Sequence, residues 1–169
     1  MSVGDQKRQK TNMLHIDIIA VGKLKERFWR EACDEYLKRM KPYAYVRVVE
    51  IADVDPSGAG GAKDALRREG AAILDALPEK CTVVLLDIQG KLVSSEDMAE
   101  RIEALTVDGV SNIAFIIGGS HGVDGEVAAR ADMRWSLGRI TMPHNLARVV
   151  IIEQIYRAFK IIRREPYHK

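Results

Sequence analysis

The apolar and polar positions along the chain predict an alternation of strands and helices. Four runs rich in β-branched residues predict strands over 15–21, 45–51, 82–88 and 112–117. The runs at 82–88 and 112–117 are almost entirely apolar, which is typical of parallel strands that are covered on both faces. The segment 139–142 predicts one more short strand, just before Pro143.

Segments with helical periodicity lie between these strands. Phe28, Ala32, Tyr36 and Met40 recur at helical spacing, and Pro42 ends the helix that they predict. Further helices are predicted over 62–77, 94–105, 123–131 and 145–162, with Ser94 as the N-cap of the second and Asn145 as the N-cap of the last. This alternation predicts an α/β fold with a mostly parallel sheet flanked by helices.

Composition narrows the classes of protein to which the chain can belong. Its 169 residues carry a net charge of +2, and its two cysteines lie far apart, without the spacing of a zinc site or a disulfide framework. No apolar run reaches the length of about 18 residues that a membrane span needs. We therefore expect a cytoplasmic protein without a metal, with one domain over 13–169 and a disordered polar extension over 1–12.

Glycine and small residues follow three of the predicted strands or stand beside them. Gly118 and Gly119 follow the run at 112–117, Asp87 and Gly90 stand at the end of the run at 82–88, and Gly138 lies in the segment 137–143. Ligands of open α/β sheets bind beyond the carboxyl ends of the strands. The pattern therefore predicts a narrow slot in which main-chain groups hold a ligand, and a larger side chain at position 119 is expected to fill it. A glycine turn from strand to helix explains the same pair equally well.

The C-terminal helix predicts an interface. Glu153, Arg157, Lys160 and Arg164 form one narrow polar stripe, and nearly all other positions are apolar. Such a helix is either buried within the chain or shared with a second copy, and we favour a homodimer that uses this helix. The basic residues around Tyr167 at the end of the chain are compatible with an RNA partner or with a solvated tail.

Three motifs in order carry a resemblance to a known family. "LLDIQGK", "FIIGGSHGV" and "WSLGRITMPHNLARVVIIEQIYRAFKIIRREPYHK" are similar to motifs of the ribosomal RNA large subunit methyltransferase H family, which belongs to the trefoil-knotted SPOUT methyltransferases. The N-terminal "IIAVGKLKERFWREACDEYLKR" resembles the same family, so the resemblance extends from Met13 to Lys169.

The resemblance implies a homodimer with a deep trefoil knot in the last third of the chain. It further implies methyl transfer from S-adenosyl-L-methionine to N3 of a pseudouridine in large-subunit ribosomal RNA. The small net charge favours a shaped target such as the assembled ribosome over naked RNA, and it does not distinguish the free subunit from the whole particle. The candidate catalytic residues are Arg157 on the polar stripe, His144 beside Pro143, and the pair Tyr167 and His168, whose "YH" ending resembles that of the family. A salt bridge to Glu153 would explain Arg157 without catalysis, and a bond to the backbone at the helix start would explain His144. The implied cofactor contacts, including Gly118 for its position beside Gly119, are Leu86, Gly118, Gly119, Gly138, Arg139, Ile140, Thr141, Met142 and Pro143.

Two other functions agree with the same pattern. A different knotted methyltransferase acting on transfer RNA would share the three strand ends and use the long helix for another substrate. A ribosome-binding factor without catalytic activity would share the basic tail, but it would have no use for a slot lined by main-chain groups.

Overall fold

The computed structural model describes residues 13–167, so the predictions for residues 1–12 and for His168 lie outside the described part of the chain. Strands and helices alternate along it. The strands are β1 (Leu14–Val21), β2 (Ala44–Ile51), β3 (Thr82–Leu92), β4 (Asn112–Ile117) and β5 (Met133–Ser136). The helices are α1 (Arg27–Met40), α2 (Gly61–Ala76), α3 (Ser95–Val107), α4 (Gly125–Arg130) and α5 (His144–Ile162).

The five strands form one sheet in the order β2-β1-β4-β3-β5, and every pairing is parallel. Helices α1, α3 and α5 pack on one face, over a core that includes Ile16, Phe115 and Trp135. Helices α2 and α4 cover the other face, over a smaller core that includes Ile19 and Ile116. The predicted α/β fold with a mostly parallel sheet flanked by helices is confirmed, and the trefoil knot stays a prediction.

Two local predictions are wrong. Residues 139–142 form no strand, because the fifth strand lies earlier, over Met133–Ser136, and 139–142 belong to the loop that follows it. Asn145 does not cap α5, because the helix begins at His144 and the extended backbone of Pro143 occupies the N-cap position. By contrast, Ser94 caps α3 as predicted, and its side chain accepts a hydrogen bond from the Asp97 amide at 3.0 Å.

Helix α5 lies against both α1 and α3, and much of its apolar surface is buried within the chain. Ile151, Ile152 and Ile155 are at most 1% exposed, whereas Leu146 near its start is 36% exposed. A large part of the apolar arc is thus explained by packing within one chain, and the homodimer stays a prediction. Among residues 13–167, no helix is both long enough and apolar enough to cross a bilayer.

A buried ion pair anchors the start of α5 to the sheet. The side chain of Arg148 is only 2% exposed, and its Nη1 donates to Oε1 of Glu50 at 2.7 Å. Its Nη2 donates to the carbonyl oxygen of Gly22, just beyond β1, at 2.8 Å. This arginine lies 98 residues from Glu50 in sequence, so the pair ties α5 to the ends of β1 and β2.

Replacing Arg148 with Met is expected to lower the free energy of unfolding by about 2–3 kcal/mol, because it leaves the half-buried Glu50 carboxylate without its partner. Chemical denaturation measures the change. Arg27→Met is the matched control: it breaks the exposed pair with Glu31 and should cost less than about 1 kcal/mol. Equal losses in the two variants would show that the buried pair has no special role.

Candidate functional site

A cavity of about 540 Å³ lies where the pairing of β3 with β4 ends, at Leu85, and beyond the carboxyl ends of β4 and β5. Its walls come from three segments, 85–88, 117–123 and 137–142, together with the start of α5. This volume falls within the range of small-molecule sites. The three strand ends singled out in the sequence therefore meet around one space.

The structure places most of the predicted cofactor residues on this cavity. Arg139 and Pro143 belong to the same loop but do not line it, whereas His144 at the start of α5 does. The predicted cofactor residues that line the cavity are Leu86, Gly118, Gly119, Gly138, Ile140, Thr141 and Met142.

Gly118 and Gly119 lack side chains for a different reason from the one that the sequence predicts, which is to keep the slot open. A Cβ on Gly118 would lie 2.8 Å from the carbonyl oxygen of Gly122, and a Cβ on Gly119 would lie 3.1 Å from Cγ1 of Val21. Both glycines therefore let the loop pack on protein atoms, and a side chain at position 119 would press on β1 rather than fill the slot. Gly138 differs, because its φ of +129° favours glycine and nothing lies within 4 Å of its Cβ position.

The amino end of α5 borders the cavity. No side chain caps this end, and the first intrahelical bond joins the Ala147 amide to the carbonyl oxygen of Pro143 at 3.0 Å. His144 and Ala147 both line the cavity. The first amide groups of a helix lack intrahelical partners and carry a partial positive charge, so this end favours a negatively charged group of a ligand.

Sequence reasoning missed several residues of the cavity wall, among them His121, Leu137 and Ala147. Asp87 of β3 also lines it. Its carboxylate accepts a hydrogen bond from the Gln89 amide at 2.9 Å and pairs with Arg134 at 3.2 Å. These contacts lie in the irregular part of β3, where the register with β5 shifts between Leu86 and Lys91. Within residues 13–167, no group of three or more His, Cys, Asp or Glu side chains is placed to hold a metal ion.

Glu69 of α2 lies behind the glycine loop and is only 7% exposed. Its Oε1 accepts a hydrogen bond from the Val54 amide at 2.9 Å, and its Oε2 lies 3.9 Å from the Cβ position of Gly119. Burial raises the pKa of Glu69, and the neighbouring Asp53 carboxyl raises it further. The folded state therefore holds a proton here at pH values where an unfolded chain has released it.

The raised pKa of Glu69 predicts that the stability of the fold depends on pH. As pH rises from the ordinary pKa of a glutamate through the raised pKa of Glu69, the folded state loses stability, because an unfavourable buried charge forms. Glu69→Gln should flatten this decline, because the amide still accepts from Val54. Denaturation at several pH values checks this, with the exposed Glu103→Gln as control. An unchanged decline in Glu69→Gln would contradict the assignment.

Two of the predicted catalytic residues form a separate cluster near the end of α5. Arg157 Nη2 donates to Glu153 Oε1 at 2.6 Å, and the Arg157 guanidinium lies 4.2 Å from the centre of the Tyr167 ring. The Tyr167 hydroxyl donates to the same oxygen of Glu153 at 2.9 Å. Burial and the Glu153 carboxylate raise the pKa of Tyr167, so it stays a protonated phenol at neutral pH.

Within one chain, the structure does not bring Arg157 and Tyr167 together with His144 and the other residues that line the cavity. Arg157 lies thirteen positions after His144 in α5, which corresponds to roughly 20 Å along the helix axis. The Arg157–Tyr167 cluster therefore lies at the far end of the helix from the cavity of its own chain.

Comparison with known proteins assigns the family. The family model described as "Predicted SPOUT methyltransferase" matches residues 14–168. Proteins named ribosomal RNA large subunit methyltransferase H are similar over their full length: one from Carboxydothermus hydrogenoformans is 46% identical over 92% of this chain, and one from Desulfitobacterium hafniense is 48% identical over 93%.

A solved structure shares the fold at much lower sequence identity. The probable methylase family protein from Haemophilus influenzae Rd KW20 aligns with 92% of this chain and 70% of its own, with a TM-score of 0.51 and 13% identity. The matches in sequence and fold agree with the three strand ends that meet around the cavity. The chain belongs to the SPOUT methyltransferases, and within them to the ribosomal RNA large subunit methyltransferase H family.

Proposed function

We propose that the protein transfers a methyl group from S-adenosyl-L-methionine to N3 of a pseudouridine in large-subunit ribosomal RNA. The assembled ribosome in the cytoplasm is the proposed substrate. The observation that carries the proposal is the cavity of about 540 Å³ at the ends of three parallel strands, in a chain 46% identical to a protein named for this RNA. A small net charge of +2 favours a shaped, assembled target over naked RNA.

The residues of the cavity suit this cofactor. Leu86, Ile140 and Met142 offer apolar walls for an adenine ring, and the backbone at Gly138 leaves its Cβ position open. The uncapped amides at the start of α5 suit a carboxylate such as that of a methionine moiety. When bound, the cofactor supplies an electrophilic methyl group on a positively charged sulfur atom.

The chain's own residues then have to orient the nucleotide and accept the proton that leaves its N3 atom. Transfer to N3 needs an in-line approach of methyl to nitrogen, so positioning supplies much of the acceleration. The N3 proton must leave, and His144 on the cavity wall is the candidate acceptor. Arg157 stabilises the negative charge that develops on the base. Tyr167 packs its ring against the Arg157 guanidinium and shares the Glu153 carboxylate with it, so it holds Arg157 in position. His168 is the further candidate in the tail.

The separation of about 20 Å along α5 requires a second copy of the chain in this proposal. We propose a homodimer in which the end of α5 from one subunit lies at the cavity of the other. Exposed apolar side chains on β3, in the loop after β5 and at the start of α5 offer a surface for this contact. They are Ile88, Leu92, Ile140 and Leu146, with exposed fractions of 57%, 71%, 69% and 36%. The cofactor residues, Arg139 and Pro143 included, are proposed to lie within a trefoil knot.

Methyl transfer from labelled S-adenosyl-L-methionine tests the proposal. Ribosomes from cells that lack the protein, separated large subunits and bulk transfer RNA serve as parallel substrates. We expect label in the large-subunit RNA of ribosomes, and mass mapping should locate it on a pseudouridine. Label that appears only in transfer RNA would favour the other knotted methyltransferases, and no label in any substrate would favour the non-catalytic factor.

A further inference from the structure

Helices α1 and α5 end side by side, and basic side chains gather where they end. Tyr43, just after α1, stacks on Phe159 of α5, with the ring centres 5.7 Å apart and the planes 9° from parallel. The Arg163 guanidinium lies 5.7 Å from the centre of the Tyr43 ring, and Lys160 Nζ lies 3.4 Å from its hydroxyl. We call the basic residues at these two helix ends the basic face; they are Lys38, Arg39 and Lys41 at the end of α1 and Lys160, Arg163 and Arg164 at the end of α5.

The positive charge of the chain is concentrated on the basic face. Three carboxylates accompany its six basic side chains, namely Asp34, Glu35 and Glu165, which leaves an excess of three positive charges against +2 for the whole chain. Glu35 pairs with Arg39 at 2.8 Å, and Glu165 pairs with Lys160 at 2.6 Å. Among residues 13–167, no ion pair engages the exposed side chains of Lys38, Lys41, Arg163 and Arg164.

The backbone of Arg164 supplies an independent observation. Its φ is +53°, and within the described residues it is the only residue other than glycine with a positive φ. The Arg164 amide donates to the Ile161 carbonyl and the Glu165 amide to the Lys160 carbonyl, both at 2.9 Å. This is a Schellman motif, in which glycine is the favoured residue at the left-handed position. An arginine held there against its backbone preference indicates that its side chain has a use.

A groove of about 400 Å³ lies beside Lys38 and Lys41, between α1 and the edge strand β2. Its other lining residues are Asp34 at the rim and the apolar Leu37, Ala44 and Val46. Positive side chains beside an apolar surface suit a nucleotide strand, because the cations contact phosphates and the apolar floor accepts a base or a sugar.

We propose that the basic face binds the phosphate backbone of the RNA strand that flanks the methylated nucleotide. This inference rests on the proposed function and deepens it, because it assigns a binding surface outside the cavity that joins the basic residues near the end of the chain to those at the end of α1. The basic face adjoins the Arg157–Tyr167 cluster at the same end of α5: the Tyr167 and Tyr156 ring centres lie 5.1 Å apart, and Tyr156 lies 6.3 Å from Tyr43. An RNA strand bound to this face therefore lies next to Tyr167 and the end of α5, which we place at the cavity of the partner subunit.

Ribosome binding as a function of salt concentration tests the proposal. Lys38→Gln/Lys41→Gln/Arg163→Gln removes three positive charges from the basic face. The slope of log affinity against log salt should fall by about two to three, since each phosphate contact contributes about 0.7–0.9. The matched control, Lys63→Gln/Arg67→Gln/Arg68→Gln, removes the same charge from exposed positions of α2 on the opposite face of the sheet and should keep the wild-type slope. Equal slopes for the two triple variants would overturn the proposal.

Arg164→Gly separates binding from folding. Glycine relieves the left-handed backbone, so the unfolding midpoint should stay or rise, while the salt slope for ribosome binding falls by about one. Wild-type binding by this variant would show that Arg164 contacts no phosphate and would overturn its place in the basic face.

Failure of this inference is distinguishable from failure of the proposed function. If wild-type protein methylates ribosomes and the basic-face triple variant keeps its KM for them, the basic face is wrong and the methyltransferase stands. If wild-type protein transfers no methyl group but the triple variant alone loses salt-dependent binding, the proposed function fails and the basic face stands. Calorimetry with S-adenosylhomocysteine should give the same affinity for wild type and for all these variants.

Discussion

Gly138→Val is expected to weaken the binding of S-adenosylhomocysteine by about 100-fold, since overfilling a site costs about 1–3 kcal/mol and every 1.4 kcal/mol is about tenfold. Gly138 lines the cavity, and no atom lies within 4 Å of the position that its Cβ would take. A branched side chain there would occupy space that we assign to the cofactor. Isothermal titration calorimetry measures the loss.

The control for this substitution separates backbone strain from occupation of the cavity. Gly109, in the exposed turn between α3 and β4, also has a positive φ, +85°, and also has no atom within 4 Å of its Cβ position. Gly109→Val therefore introduces similar strain away from the cavity, and it should lower stability without changing cofactor affinity. If Gly138→Val binds S-adenosylhomocysteine as tightly as Gly109→Val does, the cofactor does not lie against Gly138.

Deletion of residues 167–169 is expected to reduce methyl transfer to ribosomes by about 100-fold or more while cofactor affinity stays unchanged. The Tyr167 ring packs against the Arg157 guanidinium, and its hydroxyl donates a hydrogen bond to Glu153. Loss of Tyr167 therefore removes a contact that positions each of these two side chains. Single-turnover rates at saturating cofactor measure the effect. Tyr167→Phe is a milder variant, which keeps the ring against Arg157 and removes only the hydroxyl.

Full activity of the truncated protein would leave the tail as a solvated end, which the sequence alone allows. A parallel loss of cofactor affinity would place the tail at the cofactor rather than at the nucleotide. Either result would contradict the role that we assign to the end of α5.

The parallel sheet and the strand ends were predictable because their signals are local. The runs at 82–88 and 112–117 are almost entirely apolar and are followed by glycine or polar residues, which is sufficient to predict buried strands and where they end. The capping of α3 by Ser94 is equally local, because the residues of a capping box lie three apart.

The remaining features depend on contacts that no local pattern encodes. Strand β5 has only four residues and includes the exposed Arg134, whereas the run at 139–142 has a better strand pattern but no neighbour with which to pair. In the sequence, Arg148 is a single polar residue within an apolar helix, and nothing near it indicates that Glu50 is its partner. Only the fold places Glu50 beside it. The need for a residue without a side chain at position 119 likewise depends on Val21 of β1, which would contact a Cβ there.

Mixed dimers test the central claim, that the cavity of one chain and the α5 end of another form a single active site. Gly138→Val has an intact tail and a blocked cavity, whereas the protein that lacks residues 167–169 has an intact cavity and no tail. Each should be inactive alone. After joint refolding, half of the dimers pair the two variants and each of these has one complete site, so activity should return to about one quarter of the wild-type value. No recovery from dimers that are shown to be mixed would contradict the shared site.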